Sequence, residues 1–440
     1  MQKKPQQLGL GAKKTVATLP QSATSFPITL VGLCSLLLMA YYVRHELTLT
    51  PIAATLLLLC ALAIPIIILD MTILKVYQRA STGLDLTTIR DFDLNSILTK
   101  LLGFYVTFAI LALLYWLIPI YHTKTYLPFW DIIRIILPLI LIWAIPYFVY
   151  IDRRMIKSRD GYWYFGALLL GKNREIDWNI LKQYFLAWLV KGFFLPLMLS
   201  SLVNGVIFLR TVDLSYFLTS AQLAYTFLWE FLLAIDLLFA CIGYTLTLRL
   251  TDSHIRSAEP TLGGWLCTVI CYEPFWGLLY GAYLAYDSDN ISWDNWLYQY
   301  PIAFTLWGSC IITLLALYVL SHSTFGIRFS NLTHRGILTN GNYRFTKHPA
   351  YVAKNLMWWL MAVPFITEQG ILDALRNCVL LFGVNLIYFA RARTEERHLS
   401  RDPVYVQYAL AMNELSIFAR LGRIIPYLRY QAPATHHSAG

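Results

Sequence analysis

Two polar clusters near the C-terminus hold the residue types that could do chemistry: Gly341-Asn-Tyr-Arg-Phe-Thr-Lys-His-Pro-Ala-Tyr351 and Arg391-Ala-Arg-Thr-Glu-Glu-Arg-His-Leu399. In the first, Tyr343, Arg344, Lys347, His348 and Tyr351 mix flat aromatic surfaces with cations, which suits a ligand carrying both a ring and a carboxylate. In the second, Arg391 and Glu395 stand at i, i+4 on one helical face, with His398 one turn further, so a cation and a carboxylate share the same space. Taken singly, the first cluster reads equally well as a basic, aromatic interface belt, and the second as a solvated salt-bridge pair. Both sit at the ends of apolar segments, where a bilayer protein can gather charge without burying it in hydrocarbon. A helical hairpin whose turn is only Thr367 to Gly370 brings the second cluster back to the side of the first.

The elements that position these clusters are membrane spans. Of 440 residues, 58% are hydrophobic and only 14% charged, a balance that excludes an ordinary soluble protein. The apolar residues come in blocks of spanning length, and the expected fold is all-α, a polytopic helical bundle of about ten transmembrane helices. The expected spans are Phe26 to Val43, Pro51 to Leu69, Leu101 to Tyr121, Ile132 to Ile151, Tyr184 to Leu209, Tyr216 to Leu248, Leu262 to Tyr286, Pro301 to Leu320, Val352 to Ile366 and Ile371 to Ala390. Lys and Arg alternate between loops as the positive-inside rule requires. Basic segments include the tail with Lys3, Lys4, Lys13 and Lys14, the loop with Lys75, Arg79 and Arg90, and the loop from Arg153 to Arg174. The Asp287 to Asp294 loop has no Lys or Arg. Both termini are therefore expected in the cytoplasm. The corresponding domain division is a tail over 1–25, an N-terminal transmembrane region of unknown role over 26–300, a C-terminal membrane domain over 301–430 and a flexible tail over 431–440.

The net charge of +10 reads as this topology signal together with attraction to anionic headgroups, and no nucleic-acid motif accompanies it. All seven cysteines fall within expected spans. Cys267 and Cys271 lie one turn apart but have no third ligand in their helix, so packing is the expected role and no metal site is assigned. Lys191, Glu230, Asp236 and Glu273 fall inside the lipid zone, where each needs a partner or water. Pro274 is expected to kink its helix and let Glu273 face a cavity. No phosphate loop, dinucleotide fingerprint, zinc helix or nucleophile elbow is present. Glycines 326, 336 and 341 with Pro349 make the segment from Ser321 to Ala350 a tightly folded loop.

At the two polar clusters the chain resembles the isoprenylcysteine carboxyl methyltransferase family and its phospholipid-methyltransferase relatives. The resemblance rests on Gly341 and Tyr343, Lys347-His348-Pro349-Ala350-Tyr351, a following span pair, Arg391 to Glu395-Glu396, and Tyr405 with Tyr408, so it covers about the last quarter of the chain. Lys347, Asn342 and Ala353 stand where that family commonly has arginine, proline and glycine. The resemblance implies S-adenosyl-L-methionine as cofactor, held by Leu338, Tyr343, His348, Pro349, Ala350, Tyr351 and Glu395. It also implies catalytic roles for Arg391, beside the acceptor, and Glu396. The implied activity is methyl transfer to a carboxylate or amine of a lipidic or isoprenoid acceptor by a multi-pass membrane enzyme whose site faces the cytoplasm. Its expected partners are a lipidic or prenylated substrate and membrane lipids. The His-Pro-x-Tyr element and Arg423-Ile-Ile-Pro-Tyr427 are also similar to NADPH-dependent sterol C14 reductases. A lipid binder or transporter built on the intramembrane charges is a third alternative.

Overall fold

In the computed structural model, residues 18–287 and 292–433 are described. Residues 1–17 of the expected cytoplasmic tail, 288–291 of the acidic loop and 434–440 of the expected flexible tail lie outside the described residues. The helices are α1 (Phe26–His45), α2 (Pro51–Thr72), α3 (Leu94–Leu117), α4 (Leu127–Asp152), α5 (Gly161–Leu169), α6 (Trp178–Thr211), α7 (Ala221–Thr245), α8 (Leu262–Val269), α9 (Phe275–Tyr283), α10 (Trp293–Leu297), α11 (Pro301–Ser323), α12 (Pro349–Ala362), α13 (Ile371–Leu399), α14 (Pro403–Leu415) and α15 (Ala419–Ile424). Their starts are written in the sequence. Side chains of Thr50, Asp93, Asp160, Asp177, Ser220, Thr261 and Asp402 accept hydrogen bonds from the first free backbone N–H groups of the helices they precede, which removes the cost of leaving those donors unpaired.

Eight of these helices are long and apolar enough to cross a membrane: α1, α2, α3, α4, α6, α7, α11 and α13. The other two expected spans take a different form. The segment from Leu262 to Tyr286 is broken into α8 and α9, of 8 and 9 residues, with Pro274 at the break, where its ring removes a backbone donor. The expected span at 352–366 is α12, whose 14 residues rise about 21 Å, short of the roughly 30 Å hydrocarbon core. By contrast α13 runs 29 residues, about 44 Å, so its last turns extend past the apolar stretch and carry Arg391 to His398. Helix α5, set against α3, is an element the apolar-block reading does not contain.

A single large apolar core joins α1, α2, α6, α7 and α11. On it rests the loop between α11 and α12, in which Gly326, Gly336 and Gly341 take φ of 54°, 115° and 52°. Two buried arginines tie this loop to the connection between α7 and α8. Arg328 pairs with Asp70 at 2.9 Å and donates to the carbonyls of Thr251 and Asp252. Arg335 donates to the carbonyls of Ser253, Gly243, Phe329 and Leu246 at 2.6–2.9 Å. Burial pushes the Arg335 guanidinium down to about 9, still charged at neutral pH. A Cβ on Gly243 would stand 2.0 Å from the Phe329 carbonyl oxygen, so only glycine lets α7 approach the loop this closely. A two-residue ladder, β1 (Ser257–Ala258) with β2 (Thr333–His334), completes the junction.

Residues 18–25, the end of the expected tail, are bound to the loop between α11 and α12. Ala23 N–H donates to Ile337 O at 2.8 Å, Thr339 Oγ1 to Pro20 O at 2.7 Å and Asn340 Nδ2 to Thr24 O at 2.7 Å. These bonds strap the segment along the outer edge of the loop.

His334 lies 3.2 Å from Asp402, and burial pushes its imidazole down to about 4 despite that carboxylate. The folded chain thus refuses a proton that the unfolded chain takes up near 6.5. This contribution to stability is complete above about pH 6.5 and is lost as pH falls toward 4, on the order of 2–3 kcal/mol. Thermal unfolding of detergent-solubilised protein at pH 7 and pH 5 checks it: the wild-type midpoint falls on acidification, and it falls less in His334→Gln.

Candidate functional site

The connection after α7, the strapped loop and the overhanging end of α13 enclose one cleft. Its walls are the connection after α7, the loop after α11, the first turn of α12, the last turns of α13 and the tyrosines of α14. Its atom-free volume is about 1150 Å³, open mouth included.

Arg391 sits at its floor, 4% exposed. One nitrogen donates to Asn331 Oδ1 at 2.6 Å, and Nε stands 3.5 Å from Glu395 Oε1. The guanidinium faces the rings of Tyr351, Tyr272 and Tyr388 at 5.2, 5.7 and 5.9 Å. Asn331 in turn donates to the hydroxyls of Tyr244 and Tyr272 at 2.9 and 3.0 Å, so one amide fixes the cation against α7 and the break before α9. Glu395 accepts from Tyr351 Oη, and the His348 ring stacks on Tyr351 with centroids 5.6 Å apart and planes 7° apart.

Glu396 points the other way. It pairs with Lys347 at 2.6 Å, His348 Nε2 at 3.2 Å and Arg393 at 2.8 Å, which clamps α13 to the residues just before α12. The Tyr408 hydroxyl donates to Tyr343 O at 2.8 Å and pins the same segment from α14. Burial holds the Tyr343 and Tyr405 phenols well above their ordinary range, so both remain hydroxyl-bearing donors.

Of the residues singled out from sequence, Leu338, Tyr343, His348, Ala350, Tyr351, Arg391 and Glu395 all line this cleft. Pro349 is buried as the first residue of α12, and neither it nor Glu396 is among the lining residues. Sequence reasoning passed over Asn331, Glu259, His322, Thr333 and Arg335, which also line it. Only His322, at the end of an apolar span, carried a signal that could have flagged it. Of the intramembrane charges, Lys191 lies 3.3 Å from the Trp188 ring centre and Asp236 pairs with His322 at 2.6 Å. Glu273 is not among the residues lining the cleft.

The residues fit S-adenosylmethionine. Thr333 Oγ1, Tyr405 Oη and Arg391 Nε are buried without a hydrogen-bond partner among the described residues, and all three belong to side chains lining the cleft. A polar ligand would satisfy groups that are costly to leave unpaired. Glu395 is placed for an ammonium or ribose hydroxyl, and the Tyr351 and His348 faces for a ring or sulfonium.

No curated protein and no solved structure matches this chain. Residues 302–401 match the model of the isoprenylcysteine carboxyl methyltransferase family. They span nearly all of α11, the whole loop, α12 and α13, and so hold every residue lining the cleft except Glu259, Tyr405 and Tyr408. Over those residues the chain is similar to the isoprenylcysteine carboxyl methyltransferase family.

Proposed function

We propose that this integral membrane protein is an S-adenosylmethionine-dependent methyltransferase acting on a lipidic or isoprenoid acceptor. The family match over 302–401 and the eight apolar helices support a membrane methyltransferase. The observation that carries the finer reading is the convergence of His348, Tyr351, Glu395 and Arg391 on one cleft in which three buried polar atoms make no hydrogen bond among the described residues. When bound, S-adenosylmethionine supplies an electrophilic methyl group on a sulfonium whose departure needs little acid assistance.

Leu338, Tyr343, His348, Ala350, Tyr351 and Glu395 hold the cofactor, with Pro349 setting the first turn of α12. Arg391, held in place by Asn331, grips an anionic part of the acceptor and orients it. Positioning and charge neutralisation by fixed groups supply most of the acceleration. The apolar surface of the spans admits the acceptor from the bilayer. His348→Ala and Glu395→Ala each lower S-adenosylmethionine affinity at least about tenfold without unfolding, since each removes one charged or stacking contact, worth roughly 1.5–3 kcal/mol. Calorimetry on the folded variants checks this, and unchanged affinity in both sinks the cofactor assignment.

The cleft faces the cytoplasm in this reading, as do both termini, which the loop charges support. Labelling of intact cells with an impermeant thiol reagent tests the orientation. A cysteine at Asn295 reacts and one at Arg344 is shielded; the opposite pattern inverts the topology.

A further inference from the structure

One pair of titratable groups at the cleft has no part in holding the cofactor. His322, in the last turn of α11, places Nδ1 2.6 Å from Oδ1 of Asp236 on α7, with side chains 13% and 14% exposed. Its ring packs against Tyr318 at 4.3 Å and Phe329 at 4.9 Å, and it lines the cleft together with Arg391. A neutral imidazole that donates from Nδ1 to a carboxylate keeps its lone pair on Nε2, and among the described residues no hydrogen-bond partner occupies that nitrogen. Asp236 lies outside the region that matches the family model.

We infer that His322 is the general base of the reaction, with Asp236 as its positioning residue, and that the acceptor is a zwitterionic aminolipid rather than a carboxylate. The inference rests on the methyltransferase reading above. A carboxylate is already anionic at neutral pH and loses no proton on methylation, so a base would be idle beside it. A lipid ammonium must lose a proton before it has a lone pair to use. The charges are arranged for both ends of such a headgroup. Arg391, which lines the cleft, offers a cation to a phosphate. His322, which lines the cleft with Asp236 behind it, offers the opposite polarity to the ammonium.

In the step, one N–H bond of the ammonium breaks and its proton passes to His322 Nε2. The freed lone pair forms the new N–CH3 bond as the CH3–S bond breaks, with its electron pair left on sulfur. The imidazolium is stabilised by Asp236 until it releases the proton to water.

The test uses full-length protein in phosphatidylethanolamine nanodiscs with methyl-labelled S-adenosylmethionine, and N-acetyl-S-farnesylcysteine as a carboxylate probe. Label enters phosphatidylethanolamine. The rate falls by about 10²–10⁴ in His322→Gln and by about tenfold or more in Asp236→Asn, which can still accept the Nδ1 hydrogen bond and so preserves the tie between α7 and α11. Cofactor affinity and unfolding temperature stay at wild-type values in both variants, and Asp236→Glu recovers part of the rate. Without cofactor, ¹⁵N-histidine NMR, assigned by loss of the signal in His322→Gln, finds the His322 proton on Nδ1. The inference is overturned if label enters the carboxylate probe at a rate indifferent to His322→Gln. It is equally overturned if phosphatidylethanolamine stays unlabelled while the cofactor binds, or if the proton sits on Nε2. A wild-type protein that binds no S-adenosylmethionine removes the methyltransferase reading, and this inference with it.

Discussion

Arg391→Lys is expected to slow methyl transfer about 30- to 1000-fold while S-adenosylmethionine affinity stays at its wild-type value. Arg391 has one nitrogen committed to Asn331 Oδ1 at 2.6 Å, while Nε, 3.5 Å from Glu395 Oε1, makes no hydrogen bond. A planar fork can keep the first contact and still present a second donor to an anionic group. A lysine ammonium has no fork and sits as a point charge, so it holds Asn331 or the acceptor but not both in one geometry. Losing one well-placed charged hydrogen bond at the transition state costs roughly 2–4 kcal/mol, which sets the rate range. Glu395, one turn on, still reaches the cofactor, so binding measured by calorimetry does not change. Normal turnover at saturating acceptor, or a defect confined to cofactor affinity, removes the assignment of Arg391 to the acceptor.

Glu396→Ala is expected to lower the unfolding free energy by about 2–4 kcal/mol, because it removes the one buried carboxylate that ties three partly buried side chains together. Lys347 and His348 sit in the segment before α12 and Arg393 on α13 itself, all within 3.2 Å of this one side chain, whose own exposure is 6%. Removing it separates α13 from that segment, and cofactor affinity falls with it through the displaced His348. Glu396→Gln, which keeps hydrogen-bonding capacity, loses less. Thermal unfolding of the purified variants decides the matter. Stability at the wild-type value with turnover abolished in Glu396→Gln would return Glu396 to the direct catalytic role that the family resemblance implies.

The sequence by itself determined that the chain is a helical membrane protein, where most spans lie, and which two polar clusters stand at the ends of apolar segments. Each is a property of neighbours along the chain: runs of apolar residues long enough to cross hydrocarbon, capping side chains one step before a helix, and cations and carboxylates at helical spacing. The same local logic did not show that the backbone breaks at Pro274 within Leu262 to Tyr286, or that the helix in Val352 to Ile366 stops with α12 after 14 residues, because apolar content alone reveals neither. Only the tertiary structure decided that Glu395 opens into the cleft while its neighbour Glu396 turns toward Lys347, His348 and Arg393, since successive residues on a helix point about 100° apart and packing chooses which one meets the cavity. Only it could bring Asn331 to Arg391, or Asp236 to His322 across 86 residues. Such partners are set by which helices lie side by side, and a one-dimensional pattern of hydropathy and charge contains no term for that.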